Sequence, residues 1–199
     1  MFSIFPSNLK NYILHDPLID YLNIMENPSK KNNKSNYKVY IESKIWNFEQ
    51  EVLRFIKTWF NEDEIVDFSL EYNFKRLSEV TLIAMNNPKI KCIIHGGVKK
   101  DQLCGTPDIL IRSNEIYKHY SVGQNDDSFI PVDTRFMSCK LCKDNTTLNN
   151  NDYMWYCKTR IYMIMKILGT DQCCLMPRLI DGVSYKTRIA QLSDGDKIQ

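Results

Sequence analysis

The sequence predicts an α/β protein of the α+β type, in which a central mixed sheet of about four strands is flanked by helices. Two stretches, residues 45–60 and 153–168, repeat apolar residues at the spacing of an amphipathic helix. Between them lie three short runs rich in Ile, Val and Phe, which are typical of β-strands. A further apolar run follows the second helix. The expected order of the core is therefore α-β-β-β-α-β, and 199 residues with 43% hydrophobic content suffice for one such core.

The first 37 residues are assigned to two segments that precede this core in the sequence. His15-Asp-Pro begins a short predicted helix, because Asp16 can cap the first free amides and Pro17 suits the first helical turn. We assign residues 1–25 to an N-terminal helical segment. Residues 26–37 are mostly polar and rich in asparagine, which predicts a linker.

The core begins with the helix over residues 45–60, whose apolar stripe is the clearest pattern in the chain. A second helix is predicted over 76–85, because Pro88 prevents its continuation. Three strands follow, and their consecutive order predicts a meander: residues 90–98, 107–112 and 129–136.

The last elements are the helix over 153–168, ended by Gly169, and a strand over 172–177. These boundaries give one domain spanning residues 38–192. The polar residues 193–199 are expected to form a frayed tail.

Charge and hydropathy limit the classes of function. The formal net charge is +2, from 26 Lys and Arg against 24 Asp and Glu, so the chain lacks the basic excess of proteins that coat nucleic acid. No apolar run approaches the roughly 20 residues that span a bilayer, and residues 1–14 lack the pattern of a signal peptide. We therefore expect a protein that stays inside a cell and has no membrane partner.

The cysteines are irregularly spaced and odd in number, which predicts reduced thiols packed as small hydrophobic side chains. There are seven of them: Cys92, Cys104, Cys139, Cys142, Cys157, Cys173 and Cys174. The alternative is a zinc site, because Cys139 and Cys142 have the two-residue spacing of a zinc knuckle. His95 or His119 could then complete the ligands together with Cys173 and Cys174.

Acidic residues at two predicted strands suggest a site for chemistry. Asp108 opens the strand over 107–112, while Asp133 and Arg135 share one face of the next strand because side chains alternate. If these strands pair, Asp108 approaches Asp133, and two converging carboxylates suit a divalent cation. Glu49, beside the apolar stripe of the first core helix, could add a third carboxylate. Glu51 borders the same stripe on its other side.

These residues resemble the motifs of the PD-(D/E)XK nuclease superfamily, and most of all a branch of uncharacterised proteins from large DNA viruses. The similarity is densest in IIHGGVKKDQLCGTPDILIRS, residues 93–113. It resumes at VDTRF, residues 132–136, and at YCKTRIYMIMKILG, residues 156–169. The resemblance implies a restriction-endonuclease-like core, DNA as the partner, a possible homodimer, and residence in the host cytoplasm or virion.

By that resemblance Glu49, Asp108 and Asp133 occupy catalytic, metal-binding positions, and Mg²⁺ or Mn²⁺ would support hydrolysis of a DNA phosphodiester. Arg135 stands at the position of the catalytic lysine. Lys158 and Arg160 lie on the helix that flanks the site, although the family usually has glutamine where Arg160 stands. Together with Lys140 they could concentrate positive charge around the carboxylates and are expected to contact nucleic acid.

The arginine at the lysine position leaves two functions open. A guanidinium stays protonated and cannot act as a base, although it can hold a phosphate oxygen. The chain is therefore either a magnesium-dependent nuclease, impaired or intact, or an inactive nuclease-derived protein that binds nucleic acid or serves as a virion or scaffold component. The ordinary alternatives are that Asp108 caps a turn, that Asp133 and Arg135 form an ion pair on a solvated sheet face, and that Glu49 is a flanking helix charge.

Overall fold

The computed structural model describes residues 3–13, 18, 36–120, 126–138 and 152–178. Its α-helices and strands form the predicted α+β arrangement, a mixed sheet with helices on both faces. The helices are α1 (Lys10–Ile13), α2 (Asn36–Lys57), α3 (Phe74–Asn86), α4 (Ser113–Tyr120) and α5 (Asp152–Leu168). The strands are β1 (Ile65–Asp67), β2 (Cys92–Ile94), β3 (Val98–Lys100), β4 (Leu103–Gly105), β5 (Ile109–Arg112), β6 (Phe129–Ser138) and β7 (Cys174–Arg178).

The main sheet has five strands in the order β1-β2-β5-β6-β7. The central strands β2, β5 and β6 are antiparallel neighbours, which confirms the predicted meander. The edge strands β1 and β7 pair in parallel with β2 and β6. The count of about four strands missed β1, since its three residues are too few to show a period of two.

The predicted strand over residues 90–98 is instead two strands, β2 and β3. They are separated at His95, whose φ of 54° lies in the left-handed region, and at Gly96 and Gly97. A Cβ on Gly97 would lie 2.8 Å from Cγ of Leu77, so only glycine allows this approach to α3. The chain leaves the sheet here, forms the β3–β4 hairpin, and returns as β5.

Helix α2 is longer than predicted, because it begins at Asn36 rather than at residue 45. Its first two residues therefore lie in a segment that was predicted as linker. Apart from residue 18, the predicted helix from His15 lies outside the described residues, as do the predicted tail over 193–199 and most of the linker. No helix in the described ranges combines the length and apolar character needed to cross a bilayer.

Helix α5 confirms the helix predicted over 153–168. It ends before Gly169, whose φ of 72° is the left-handed conformation common after a helix C-terminus. Strand β7 follows at Cys174–Arg178, close to the predicted strand over 172–177.

The core has two layers, one on each face of the sheet. On one face, α2 packs its second half against alternate residues of the central strands, and Val52, Ile56, Ile94, Ile109 and Val132 belong to this layer. On the other face, α3 and α5 cover the intervening residues, among them Ile93 and Leu110. Residues that alternate with Ile109 and Val132 therefore face α3 and α5.

Arg112, at the end of β5, is a buried charged side chain with 8% exposure. Its guanidinium donates hydrogen bonds to the backbone carbonyls of Ile90 (2.8 Å), Asp127 (2.7 Å), Asn87 (3.0 Å) and Met85 (3.3 Å). These acceptors belong to the end of α3, the loop into β2 and the loop into β6. One planar cation therefore joins three separate segments at this end of the sheet.

Candidate functional site

Three polar residues lie side by side across one end of the sheet. The β5–β6 register pairs Ile109 with Val132, so Asp108 comes opposite Asp133 at the next position. On its other side Asp108 meets His95, whose backbone N–H donates to the Asp108 carbonyl at 2.9 Å. The predicted approach of Asp108 to Asp133 is thus confirmed. Two like charges directly opposite each other repel, so this arrangement needs either a compensating cation or a proton on one of the carboxylates.

Arg160 of α5 is that cation. Its Nη2 donates to Oδ1 of Asp108 at 2.7 Å, and its Nη1 donates to Oδ1 of Asp133 over a very short distance. Nη2 also donates to the carbonyl oxygen of Thr106 at 3.0 Å. A single guanidinium therefore bridges the two carboxylates that were predicted to hold a metal ion.

Arg135 pairs with Asp133 on the same strand. Its Nη2 donates to Oδ1 of Asp133 at 3.0 Å, and its Nε lies 2.7 Å from Oδ2. The second contact is an ion pair without hydrogen-bond alignment. The alternative interpretation, an ion pair between Asp133 and Arg135, is therefore correct about the two residues. The pair does not, however, lie on a solvated face of the sheet. Asp133 is only 2% exposed and Arg135 is 22% exposed.

The charge state of Asp133 depends on these arginines. Burial raises the pKa of Asp133 well above its ordinary value, and the negative charge of Asp108 raises it further, while Arg135 opposes the shift. The contact with the Arg160 guanidinium also favours the ionised form. Removal of Arg135 or Arg160 would therefore favour protonation of one of the two carboxylates.

Glu49 does not join this pair. It lies on α2, which covers the opposite face of the sheet, and its Oε1 is 2.6 Å from Nε2 of His95. In the part of the chain that the structure describes, no three carboxylate, imidazole or thiol groups come together to hold a metal ion. The expected convergence of Glu49 with Asp108 and Asp133 is therefore a prediction that the geometry does not bear out. Glu51, the other candidate on this helix, pairs with Arg54 at an exposed position.

The predicted nucleic-acid contacts have different outcomes. Lys158 is 3% exposed, so its side chain lies inside the protein rather than on a surface that DNA can reach. Arg160 is 14% exposed and lies at the carboxylate pair. Lys140 lies outside the described residues.

The cysteines that the structure describes are buried and form no disulfide bond. Burial raises the pKa of Cys157 to about 11 and that of Cys92 to about 12, which keeps both thiols protonated at neutral pH. Cys173 and Cys174 are also buried, and Cys139 and Cys142, the other residues of the zinc alternative, lie outside the described residues. The described thiols thus match the expectation of small buried hydrophobic side chains.

His95 joins α2 to the loop after β1. Its Nδ1 lies 2.7 Å from Oγ of Ser69, and that hydroxyl also donates to Asp67 over a very short distance. The hydrogen bond with Glu49 raises the pKa of His95 above its ordinary value, although partial burial opposes the shift. Sequence reasoning did not predict this Glu49–His95–Ser69 chain, because its members come from three segments far apart in sequence.

We expect the His95 charge to couple pH to stability through Glu49. The folded-state pKa of His95 is raised above the unfolded value of about 6.5, so the stabilisation is complete below that pH and is lost as the pH rises through the folded pKa. An NMR titration of the imidazole signals should give a His95 midpoint that falls in Glu49→Gln. His119, which stacks on Trp59 at 4.0 Å, provides the control signal. A His95 midpoint unchanged by the substitution would mean that the contact with Glu49 does not form in solution.

A cleft of about 410 Å³ opens beside these groups. Six of the residues that line it carry the polar chemistry described above: Glu49, Ser69, His95, Thr106, Asp108 and Arg160. Asp133 lies behind Asp108 and Arg160 and does not line the cleft. A ligand in the cleft would therefore meet Arg160 before it met the buried carboxylate.

Comparisons of the chain with protein-family models, with curated proteins and with solved structures gave no match. The α+β fold class therefore stands on the structure itself. The nuclease resemblance stands on the motifs within residues 93–113, 132–136 and 156–169.

Proposed function

We propose that this chain is a nuclease-derived nucleic-acid-binding protein in which arginines have replaced the hydrolytic chemistry. The observation that carries the proposal is the bridge from Arg160 to both Asp108 and Asp133. By the resemblance, DNA is the partner and the host cytoplasm or virion of a large DNA virus is the location.

The side chains at this site favour binding over hydrolysis. A metal ion would need oxygens of Asp108 and Asp133, and these oxygens already accept from guanidinium and threonine donors. As arranged, the carboxylate oxygens of Asp108 and Asp133 are therefore not available as ligands for Mg²⁺ or Mn²⁺. Arg135 cannot replace the lysine as a base, because a guanidinium keeps its proton at any physiological pH.

Arg160 could still bind a phosphate. A guanidinium has five N–H donors, and three of those of Arg160 are used by Asp108, Asp133 and Thr106. The other two have no partner among the residues described, and the side chain lines the cleft. A phosphate oxygen entering the cleft would receive a charge-assisted hydrogen bond from a side chain already fixed in place.

The test combines binding and cleavage. We expect fluorescein-labelled oligonucleotides to bind in EDTA without any requirement for Mg²⁺. The affinity should fall steeply as salt increases, because phosphate contacts release counterions. Supercoiled plasmid should stay intact with Mg²⁺ or Mn²⁺. Arg160→Lys should weaken binding, because lysine lacks the planar fork, while Arg54→Lys at an exposed position of α2 should not. Absence of binding at low salt, or binding insensitive to salt, would overturn the proposal and favour a virion or scaffold role.

Magnesium-dependent phosphodiester hydrolysis is the second candidate. The placement of Asp108 opposite Asp133 favours it, because two carboxylates from paired strands are suitable oxygen ligands for a divalent cation. Plasmid cutting that needs Mg²⁺ or Mn²⁺ and is abolished in Asp108→Ala would establish this function. Cutting that survives Asp108→Ala would indicate a contaminating nuclease.

A further inference from the structure

Three oxygen atoms surround the Arg160 guanidinium. They are Oδ1 of Asp108 and the carbonyl oxygen of Thr106, at 2.7 and 3.0 Å from Nη2, and Oδ1 of Asp133 beside Nη1. They come from two strand ends and the turn that precedes one of them. A group of carboxylate and carbonyl oxygens around one positive charge is also the ligand set that hard divalent cations prefer.

Contacts other than those of Arg160 also hold the two aspartates in position. Oδ2 of Asp108 accepts hydrogen bonds from the backbone N–H (2.8 Å) and the hydroxyl (3.0 Å) of Thr134. Arg135 holds Asp133 through a hydrogen bond from its Nη2 to Oδ1 at 3.0 Å and through an ion pair of its Nε with Oδ2 at 2.7 Å. If Arg160 were removed, Thr134 would still hold Asp108 and Arg135 would still hold Asp133, so the two carboxylates would keep their places.

We infer that Arg160 is a built-in counter-cation that closes a divalent-cation site formed by Asp108, Asp133 and the Thr106 carbonyl. In the natural sequence the guanidinium occupies the place of the ion, which excludes it by charge and by volume. A neutral side chain at position 160 opens the site to Mg²⁺ or Mn²⁺, with water as the remaining ligands. This inference deepens the proposed function and rests on it in one respect, that Asp108 and Asp133 form the functional site. It requires neither DNA binding nor catalysis.

The probe is Mn²⁺ alone, without nucleic acid. Its binding is measured from the loss of the free Mn²⁺ signal in electron paramagnetic resonance and by calorimetry. We expect Arg160→Gln to bind one Mn²⁺ per chain at least about tenfold more tightly than the natural sequence, because a competing positive charge has left the oxygens. Adding Asp133→Asn to Arg160→Gln should abolish the gain.

Arg76→Gln is the matched control. Arg76 also pairs with a carboxylate, that of Glu71, but its side chain is 74% exposed, so its loss should leave Mn²⁺ binding unchanged. Equal Mn²⁺ affinity of the natural protein and a folded Arg160→Gln would overturn the inference. So would a gain that persists in the Asp133→Asn double variant.

If Arg160→Gln does not fold without a metal ion, its folding can be followed by circular dichroism as Mn²⁺ is added, and this measurement also tests whether the ion binds. An ion that binds only the folded state shifts the equilibrium towards it, so Mn²⁺ should restore the helical signal of the variant. Failure of Mn²⁺ to do so, while Arg160→Gln with Asp133→Asn folds, would also overturn the inference. Because these measurements contain no DNA, their failure is distinct from a failure of the proposed nucleic-acid binding.

Discussion

Arg160→Ala is expected to lower the free energy of unfolding by about 3–5 kcal/mol at neutral pH, the usual cost of removing one partner from a buried ion pair. The variant leaves Asp108 and Asp133 opposite each other with Arg135 as the remaining charge compensation, and Asp133 is almost completely buried. Urea denaturation followed by circular dichroism measures the loss. The loss should shrink as the pH falls, because protonation of a carboxylate then relieves the repulsion between the two groups.

Two further variants separate this effect from a general loss of packing. Asp133→Asn in the Arg160→Ala background should recover part of the stability, since it removes the uncompensated charge. Arg76→Ala, at the exposed pair with Glu71, should cost no more than about 1 kcal/mol. A cost for Arg160→Ala as small as that of Arg76→Ala would argue against the bridge.

Arg112→Met is expected to be comparably severe, with a loss of about 3–5 kcal/mol. Methionine keeps much of the aliphatic volume but donates to none of the four carbonyls that Arg112 satisfies. Several carbonyls at the end of α3 and in the adjacent loops then lose their donor, and such groups are costly when they are buried. Urea denaturation with tryptophan fluorescence measures the change.

Arg54→Met is the matched control for this prediction, because Arg54 is 70% exposed and pairs only with Glu51 on its own helix. It should change stability by less than about 1 kcal/mol. If Arg112→Met were equally mild, water would be replacing the guanidinium, and Arg112 would not be a structural link between these segments.

Long periodic elements of the fold could be predicted from the sequence. The apolar stripe of α2, the apolar pattern of α5 and the β-rich runs of the meander all appear in the structure, because each buries one regular face. The short elements could not be predicted in this way. Strand β1 has three residues and α4 has eight, so neither is long enough for its periodicity to be distinguished from chance.

The candidate site was predictable only in part. Alternation along β6 and pairing of β5 with β6 were sufficient to place Asp108 next to Asp133. The partner of Glu49 was not predictable, because the break at His95 depends on tertiary contacts of Gly96 and Gly97 with α3. The signal for the bridge was Arg160 itself, a cation where the resembling family usually has glutamine. The carboxylates that Arg160 contacts could not be predicted, because the contact depends on how α5 packs over the two aspartates.

The most direct test of the account is a crystal structure of the natural protein grown with excess MnCl₂, with anomalous diffraction collected to locate manganese. We predict that the Arg160 guanidinium lies between Asp108 and Asp133, as it does here, and that no anomalous peak appears at their Oδ1 atoms. An Mn²⁺ ion bound between these carboxylates, with the Arg160 side chain displaced, would contradict the account and favour the metal-dependent nuclease.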